Sequence, residues 1–241
     1  MSFGQTWRTF LRAFKLSYDH IGKVMVTNLL WFSLGFGPML AFSYLPFLQN
    51  DAFFFIAIVT GFVTMGGAVG AVHYRMNRVV LGEETVLKDM WEGFRLYWLR
   101  GTILVLLGVL GVLLLVFNIW FSQIYPPILF MALSGLWVWG IVFWAALHQF
   151  VFPFLANQDI GVIKALKRSA LIVLDNPLPT LLLLILSVVV VALSLLFAAP
   201  LLIFVASFLA LVQNCFYHEL MTKYEIEEQS NSVEVEGEDK E

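Results

Sequence analysis

The sequence predicts an all-α polytopic membrane protein: six transmembrane helices arranged as three hairpins, each introduced by a short amphipathic helix. Three observations predict it. Of 241 residues, 60% are hydrophobic and only 13% are charged, whereas about a quarter of residues in soluble domains are charged. No Asp, Glu, Lys or Arg occurs from Gly101 to Gln158, nor from Asn176 to His218, and a bilayer-spanning helix needs about 20 apolar residues. Finally, all 14 lysines and arginines fall on one side of a six-span arrangement.

Residues 1–23 read as an interfacial amphipathic helix. Phe3, Trp7, Phe10, Leu11, Phe14, Tyr18 and Ile21 form one stripe, with Arg8, Arg12 and Lys15 off it. Lys/Arg beside Trp/Phe at helical period is the pattern of a helix lying in the membrane interface. The same basic residues, with Lys23, interrupt the amino terminus throughout, so it does not read as a cleavable signal.

The transmembrane domain is expected over 24–220, with spans near Val24–Phe47, Ala52–Tyr74, Gly101–Phe121, Ile128–Phe152, Leu178–Phe197 and Leu201–Tyr217. The connections after spans one, three and five are very short (Gln49-Asn50-Asp51, Ser122 to Pro127, and Ala198-Ala199-Pro200). Backbone polar groups find no partner in lipid, so each pair is expected to be a tight helical hairpin. Gly35, Gly37 and Pro38 are expected to kink or interrupt span one. Cys215 lies in the last apolar run and cannot form an internal disulfide, because it is the only cysteine. Residues 221–241 carry eight acidic residues from Glu225 onward and one lysine, the composition of a disordered, solvated tail.

The positive-inside rule puts the basic side, and both termini, in the cytoplasm. The opposite side carries only Asp51. This is the topology of a multi-pass membrane protein with its basic loops on the cytoplasmic side.

Each hairpin is preceded by a basic amphipathic stretch, and each ends in a histidine: His73, His148 and His218, in "AVHYRM", "ALHQFV" and "YHELMT". With Lys15, Arg95 and Lys167 as matched points, the histidines follow at 58, 53 and 51 residues. That spacing predicts an internal repeat and a pseudo-three-fold architecture. The second stretch, "VLKDMWEGFRLYWLR", places Leu87, Met90, Trp91, Phe94 and Trp98 on one stripe; the third, "GVIKALKRSALIVLDNP", is shorter and less aromatic. In span two, Gly66, Gly67, Gly70 and Ala71 form small faces that let helices approach closely.

Two readings of the histidines stand side by side. Three imidazoles meeting at a vestibule could bind a zinc-like ion or relay protons. Each could instead sit singly at the interface, and no H-x-x-x-H pair selects a metal. Gln149 adjoins His148, while Gln213, Asn214 and His218 share a neighbourhood on span six. These six residues make a candidate polar pathway, or a set of interhelical hydrogen bonds. No cofactor and no metal is expected.

Catalytic motifs are absent. His218-Glu219 begins like H-E-x-x-H, but position 222 is Thr, so the second zinc ligand is missing. No Asp or Glu lies within a predicted span, and neither a G-x-S-x-G elbow nor a Walker loop occurs. The same lack of intramembrane carboxylates argues against an energised secondary transporter. The basic helices would attract anionic lipid headgroups; nucleic acid is not an expected partner.

The basic start "FLRAFKLSYDHIGKVMVTNLLWFSLGFGP", followed by "GGAVGAVHYRMNRVVLGEETVLKDMWEGFRLYWLRG", resembles the YesL-like family of small bacterial membrane proteins over most of residues 8 to 220. The resemblance implies an accessory role near a sugar ABC transporter; the histidines are not part of the family pattern. The expected function is therefore that of a non-enzymatic membrane accessory or scaffold acting through a partner or through self-association. The alternative is a small channel or facilitator with a polar pathway near the ends of spans 2, 4 and 6.

Overall fold

The computed structural model describes residues 3–44, 51–124, 128–197 and 203–238, and among them every regular element is a helix. In chain order these are α1 (Phe3–Asp19), α2 (Ile21–Gly35), α3 (Gly37–Tyr44), α4 (Asp51–Val80), α5 (Leu87–Ile124), α6 (Ile128–Gln158), α7 (Val162–Asp175), α8 (Pro177–Phe197) and α9 (Val205–Glu238). Among the described residues, four stretches are long and apolar enough to cross a bilayer: Phe53–Val80, Leu87–Ile124, Leu133–Gln158 and Pro177–Phe197. The centres of the three expected turns, at 49–50, 125–127 and 198–200, lie outside the described residues.

Three boundaries differ from the sequence reading, whereas the interruption expected in the first apolar segment is present: α2 ends at Gly35, and α3 begins at Gly37 after a turn at Phe36. Pro38 has no backbone N–H, so it leaves one carbonyl of the preceding turn without its helical partner, and the glycines on either side of Phe36 tolerate the bend. The amphipathic stretch before span three is not a separate helix, because α5 runs unbroken through Gly101 for 38 residues. Finally, the acidic segment expected to be disordered continues α9 as helix to Glu238. Glu and Gln are good helix formers, and that segment holds no proline. The interfacial helix likewise stops at Asp19 rather than at residue 23, and His20 separates it from α2.

α1 buries Thr6, Thr9, Ala13 and Ser17 and leaves Phe3, Trp7, Leu11, Phe14 and Tyr18 exposed. The small residues are the fully buried ones, while Phe10, half-buried, and Phe14 meet Phe208 of α9 edge-on with centroids 6.3 and 6.2 Å apart. α7 repeats this pattern, burying Ala165 and Ser169 while Ile163, Leu171 and Leu174 stay exposed. In the first half of α5, Gly93 and Tyr97 are buried, while Trp91 and Trp98 are exposed. Each buried pair stands two residues before and two after the matched points Lys15, Arg95 and Lys167.

The helices pack around α4, α6 and α9, which contact one another pairwise. α4 also packs on α2, α3 and α5; α6 on α5, α7 and α8; α9 on α1, α2 and α8. The amphipathic segments follow one rule: α1 lies on α9, the start of α5 on α4, and α7 on α6. The closest approach is between α4 and α5. A Cβ built on Gly66 would overlap the backbone of Gly101 and Thr102, and one on Gly70 would lie 2.6 Å from Tyr97 Cβ. One on Gly67 would lie 2.8 Å from the Phe94 ring. Thr102 seals the crossing by donating to Val63 O at 2.7 Å.

Candidate functional site

The shared core of α4, α6 and α9 is filled by Val72, Met76, Phe150, Phe154, Leu155, Leu211, Phe216 and Leu220, all under 2% exposed. Embedded in it is a polar ladder. On α4, His73 and Asn77 are four residues apart and share a face; on α9, Asn214 and His218 do the same. Asn214 Nδ2 donates to His73 Nδ1 at 3.3 Å and to Ala210 O at 2.8 Å. One turn further along both helices, His218 Nε2 lies 2.7 Å from Asn77 Oδ1. An amide oxygen only accepts, so His218 carries its proton on Nε2, whereas His73 Nδ1 accepts and leaves the proton on its Nε2.

α6 supplies the third side. Asn157 Nδ2 donates to Asn214 Oδ1 at 3.3 Å and to Pro153 O at 2.8 Å. The His73 ring stacks on Phe152 with centroids 5.4 Å apart. Beside Asn157, Gln158 Nε2 donates to Tyr217 OH at 2.8 Å. Every member belongs to a different turn of a packed helix, so the ladder fixes the register of α4, α6 and α9 together.

The structure divides the six residues of the predicted pathway. His73, Asn214 and His218 lie in the ladder. His148 does not: its Nδ1 is 2.8 Å from Trp144 O, and its ring faces Gly108 of α5. Donation to that carbonyl leaves Nε2 as an acceptor, and it is buried without a hydrogen-bond partner among the described residues. Gln149 turns to α8, where Ser187 Oγ donates to its Oε1 at 3.1 Å. Gln213 is half-buried on α9. The three histidines therefore do not meet at one vestibule. Helical phase is the reason, since equivalent positions on three helices face one axis only if the helices are rotated alike. Among the described residues, no group of three or more His, Cys, Asp or Glu is placed to hold a metal ion.

Asn77, Asn157 and Gln158 were not singled out by the sequence. For Asn77 the signal was available, because His73/Asn77 and Asn214/His218 have the same four-residue spacing.

Three further features surround the ladder. Arg75 is 3% exposed; its Nη1 donates to Thr27 Oγ1 of α2 at 2.9 Å, and its Nε is buried without a partner among the described residues. At the helix ends, Arg78 pairs with Asp89 at 2.7 Å and Glu83 at 2.8 Å, and Arg100 pairs with Asp159 at 2.7 Å. Asp89 also accepts from Val86 N at 2.8 Å and so caps the start of α5. Across α9, Asn28 Oδ1 accepts from the backbone N–H of Ala206 and Ser207 at 2.7 and 3.2 Å. These amides belong to the first turn of α9, where helix donors lack internal partners.

Compared with protein-family models, curated proteins and solved structures, the chain matches none.

Proposed function

We propose that the chain is a non-enzymatic scaffold or accessory protein of a bacterial cytoplasmic membrane, acting by helix contact with a partner or with itself. The observation that carries this reading is the filled core. Large side chains occupy the space between α4, α6 and α9, and the polar groups there are bonded to one another across helices. A pathway for solutes would need open polar volume at that place. Catalysis would need a nucleophile–base or acid–base pair, and the ladder offers amides and imidazoles already engaged as structural partners.

In this reading six spans form three hairpins with both termini in the cytoplasm. α2 and α3 together make the first span, since Ile21 to Tyr44 as helix is about 36 Å long, enough for the hydrocarbon core. The apolar first part of α9 completes the sixth. The cyclic contact rule supports a pseudo-three-fold repeat, with each amphipathic segment lying on the last helix of the preceding unit, α1 on α9 closing the ring. The buried pairs Ala13/Ser17, Gly93/Tyr97 and Ala165/Ser169 support the same alignment. The resemblance to the YesL-like family adds components of a sugar ABC transporter as the partner class.

The test is affinity purification from native membranes in mild detergent, with mass spectrometry of stoichiometric companions. A recurring transporter subunit, or a discrete homo-oligomer, is the expected result. Solute flux through purified protein in liposomes, lost in Asn214→Ala, would overturn it in favour of a facilitator.

A further inference from the structure

A cleft of about 460 Å³ opens between α6, α7 and α9, with Gln158 standing between it and the ladder's Asn157. Its walls are apolar: Phe154 of α6, Leu171 and Ile172 of α7, and Met221 of α9. Two opposite charges sit on its rim, Arg168 and Asp175. They are seven residues apart on α7, two turns along one face, or about 10 Å of helix.

These charges are not paired with each other. Arg168 Nη1 donates to Gln158 Oε1 of α6, and Asp175 Oδ2 accepts from Tyr224 OH of α9 and from Asn176 Nδ2 at 3.3 Å. Neither has an opposite charge within 4.0 Å among the described residues. A guanidinium has five N–H donors and a carboxylate about four acceptor positions, so most of the capacity of both remains for a ligand. The neutral anchors keep the two side chains apart across the cleft, so one end of the cleft is cationic and the other anionic. Leu171 and Ile172 lie between them.

We propose that this cleft binds a phosphoethanolamine zwitterion, with the phosphate on Arg168 and the primary ammonium on Asp175. Arg matches a phosphate through two parallel N–H···O bonds. An ammonium brings three donors to the Asp175 carboxylate, which only accepts. The apolar walls exclude a bare inorganic ion as the best fit and suit a ligand with hydrocarbon attached. Leu171 and Leu174 are both 66% exposed on the same helix, so the cleft adjoins an apolar outer surface. The bilayer source of this chemistry is the headgroup of phosphatidylethanolamine; the soluble source is glycerophosphoethanolamine. The site depends on the chain lying in a membrane and not on the scaffold reading.

The experiment measures lipid retention by native mass spectrometry on the full chain, offered equal amounts of phosphatidylethanolamine, phosphatidylcholine and phosphatidylglycerol. Preference for phosphatidylethanolamine by about ten-fold is expected over both, because one carries a quaternary ammonium that cannot donate and the other no cation. Arg168→Gln and Asp175→Asn should each erase the preference. Competition by glycerophosphoethanolamine at equal concentration assigns the soluble source, and its failure to compete assigns the lipid. Equal retention of the three lipids by the wild-type chain, which needs no variant, would overturn the proposal. So would an unchanged preference in both substitutions.

Discussion

Asn214 and His73 are joined across α9 and α4 at 3.3 Å, and His218 and Asn77 repeat that contact one turn later at 2.7 Å. Both pairs are 141 residues apart in sequence, so α4 and α9 run side by side in one direction with matched phase. Asn214 is wholly buried and holds Asn157 of α6 as well. Removing it leaves a donor and two acceptors without their partner in an apolar core. Asn214→Leu is expected to lower unfolding stability in detergent by about 1–3 kcal/mol. A double-mutant cycle of Asn77→Ala with His218→Ala should give a coupling of about 0.6–2 kcal/mol. Additive losses in that cycle would mean the contact contributes nothing.

The contact of α4 with α5 makes a sharper forecast, because two glycines of one helix differ in what a methyl group would meet. At Gly66 it would run into the backbone of Gly101 and Thr102; at Gly61 it would lie 3.5 Å from Met39 Cβ, an ordinary contact. Gly66→Ala must push the helices apart and is expected to cost about 2 kcal/mol or more. Gly61→Ala gains helix propensity of up to about 1 kcal/mol and should be neutral or stabilising. Thermal unfolding of the two variants, measured alongside the parent, checks the order.

Helix existence was legible in composition and charge-free runs, since a stretch such as 101–158 has no soluble alternative. Boundaries were less so. Gly101 looked like a junction between an amphipathic helix and a span, yet in the fold it is the surface on which α4 and α5 cross. A glycine at a crossing and a glycine at a break read the same in one sequence. The amphipathic stripes were legible as periodicity, but which face would be buried was not. Thr6, Thr9, Ala13 and Ser17 are buried because only small side chains let α1 lie close to α8 and α9, leaving Trp7 exposed and Phe14 against the edge of Phe208. In the site, the histidine positions followed from the repeat, but the turning of His148 toward Gly108 depends on helix rotation, which spacing does not encode.

The placement of the basic residues yields a topology that fusions can read. A fluorescent protein that folds only in the cytoplasm, joined after Glu241, is expected to fluoresce. Alkaline phosphatase, active only outside, should be active when joined at Ser122 and inactive at Gly82. Activity at Gly82 would reverse the orientation, and activity at both sites would remove the span between them.

Arg75 gives the least intuitive forecast. It follows His73 by two positions; the matching positions after His148 and His218 are Phe150 and Leu220, both fully buried and apolar. Arg75 is 3% exposed, yet its only hydrogen bond among the described residues is to Thr27 Oγ1, and Asp89 acts on its charge only from beyond 4.0 Å. A buried charge so poorly matched costs more to desolvate than one hydroxyl returns. Arg75→Met keeps the length and apolar stem while removing the charge. It is therefore expected to leave unfolding stability unchanged or raise it by about 1–4 kcal/mol. Thr27→Val should do the opposite, because it strands the guanidinium with no acceptor, and a loss of about 1–3 kcal/mol is expected. Chemical unfolding of both variants separates the cases. If Arg75→Met were strongly destabilising while Thr27→Val were neutral, the guanidinium would be holding the fold through a partner other than Thr27.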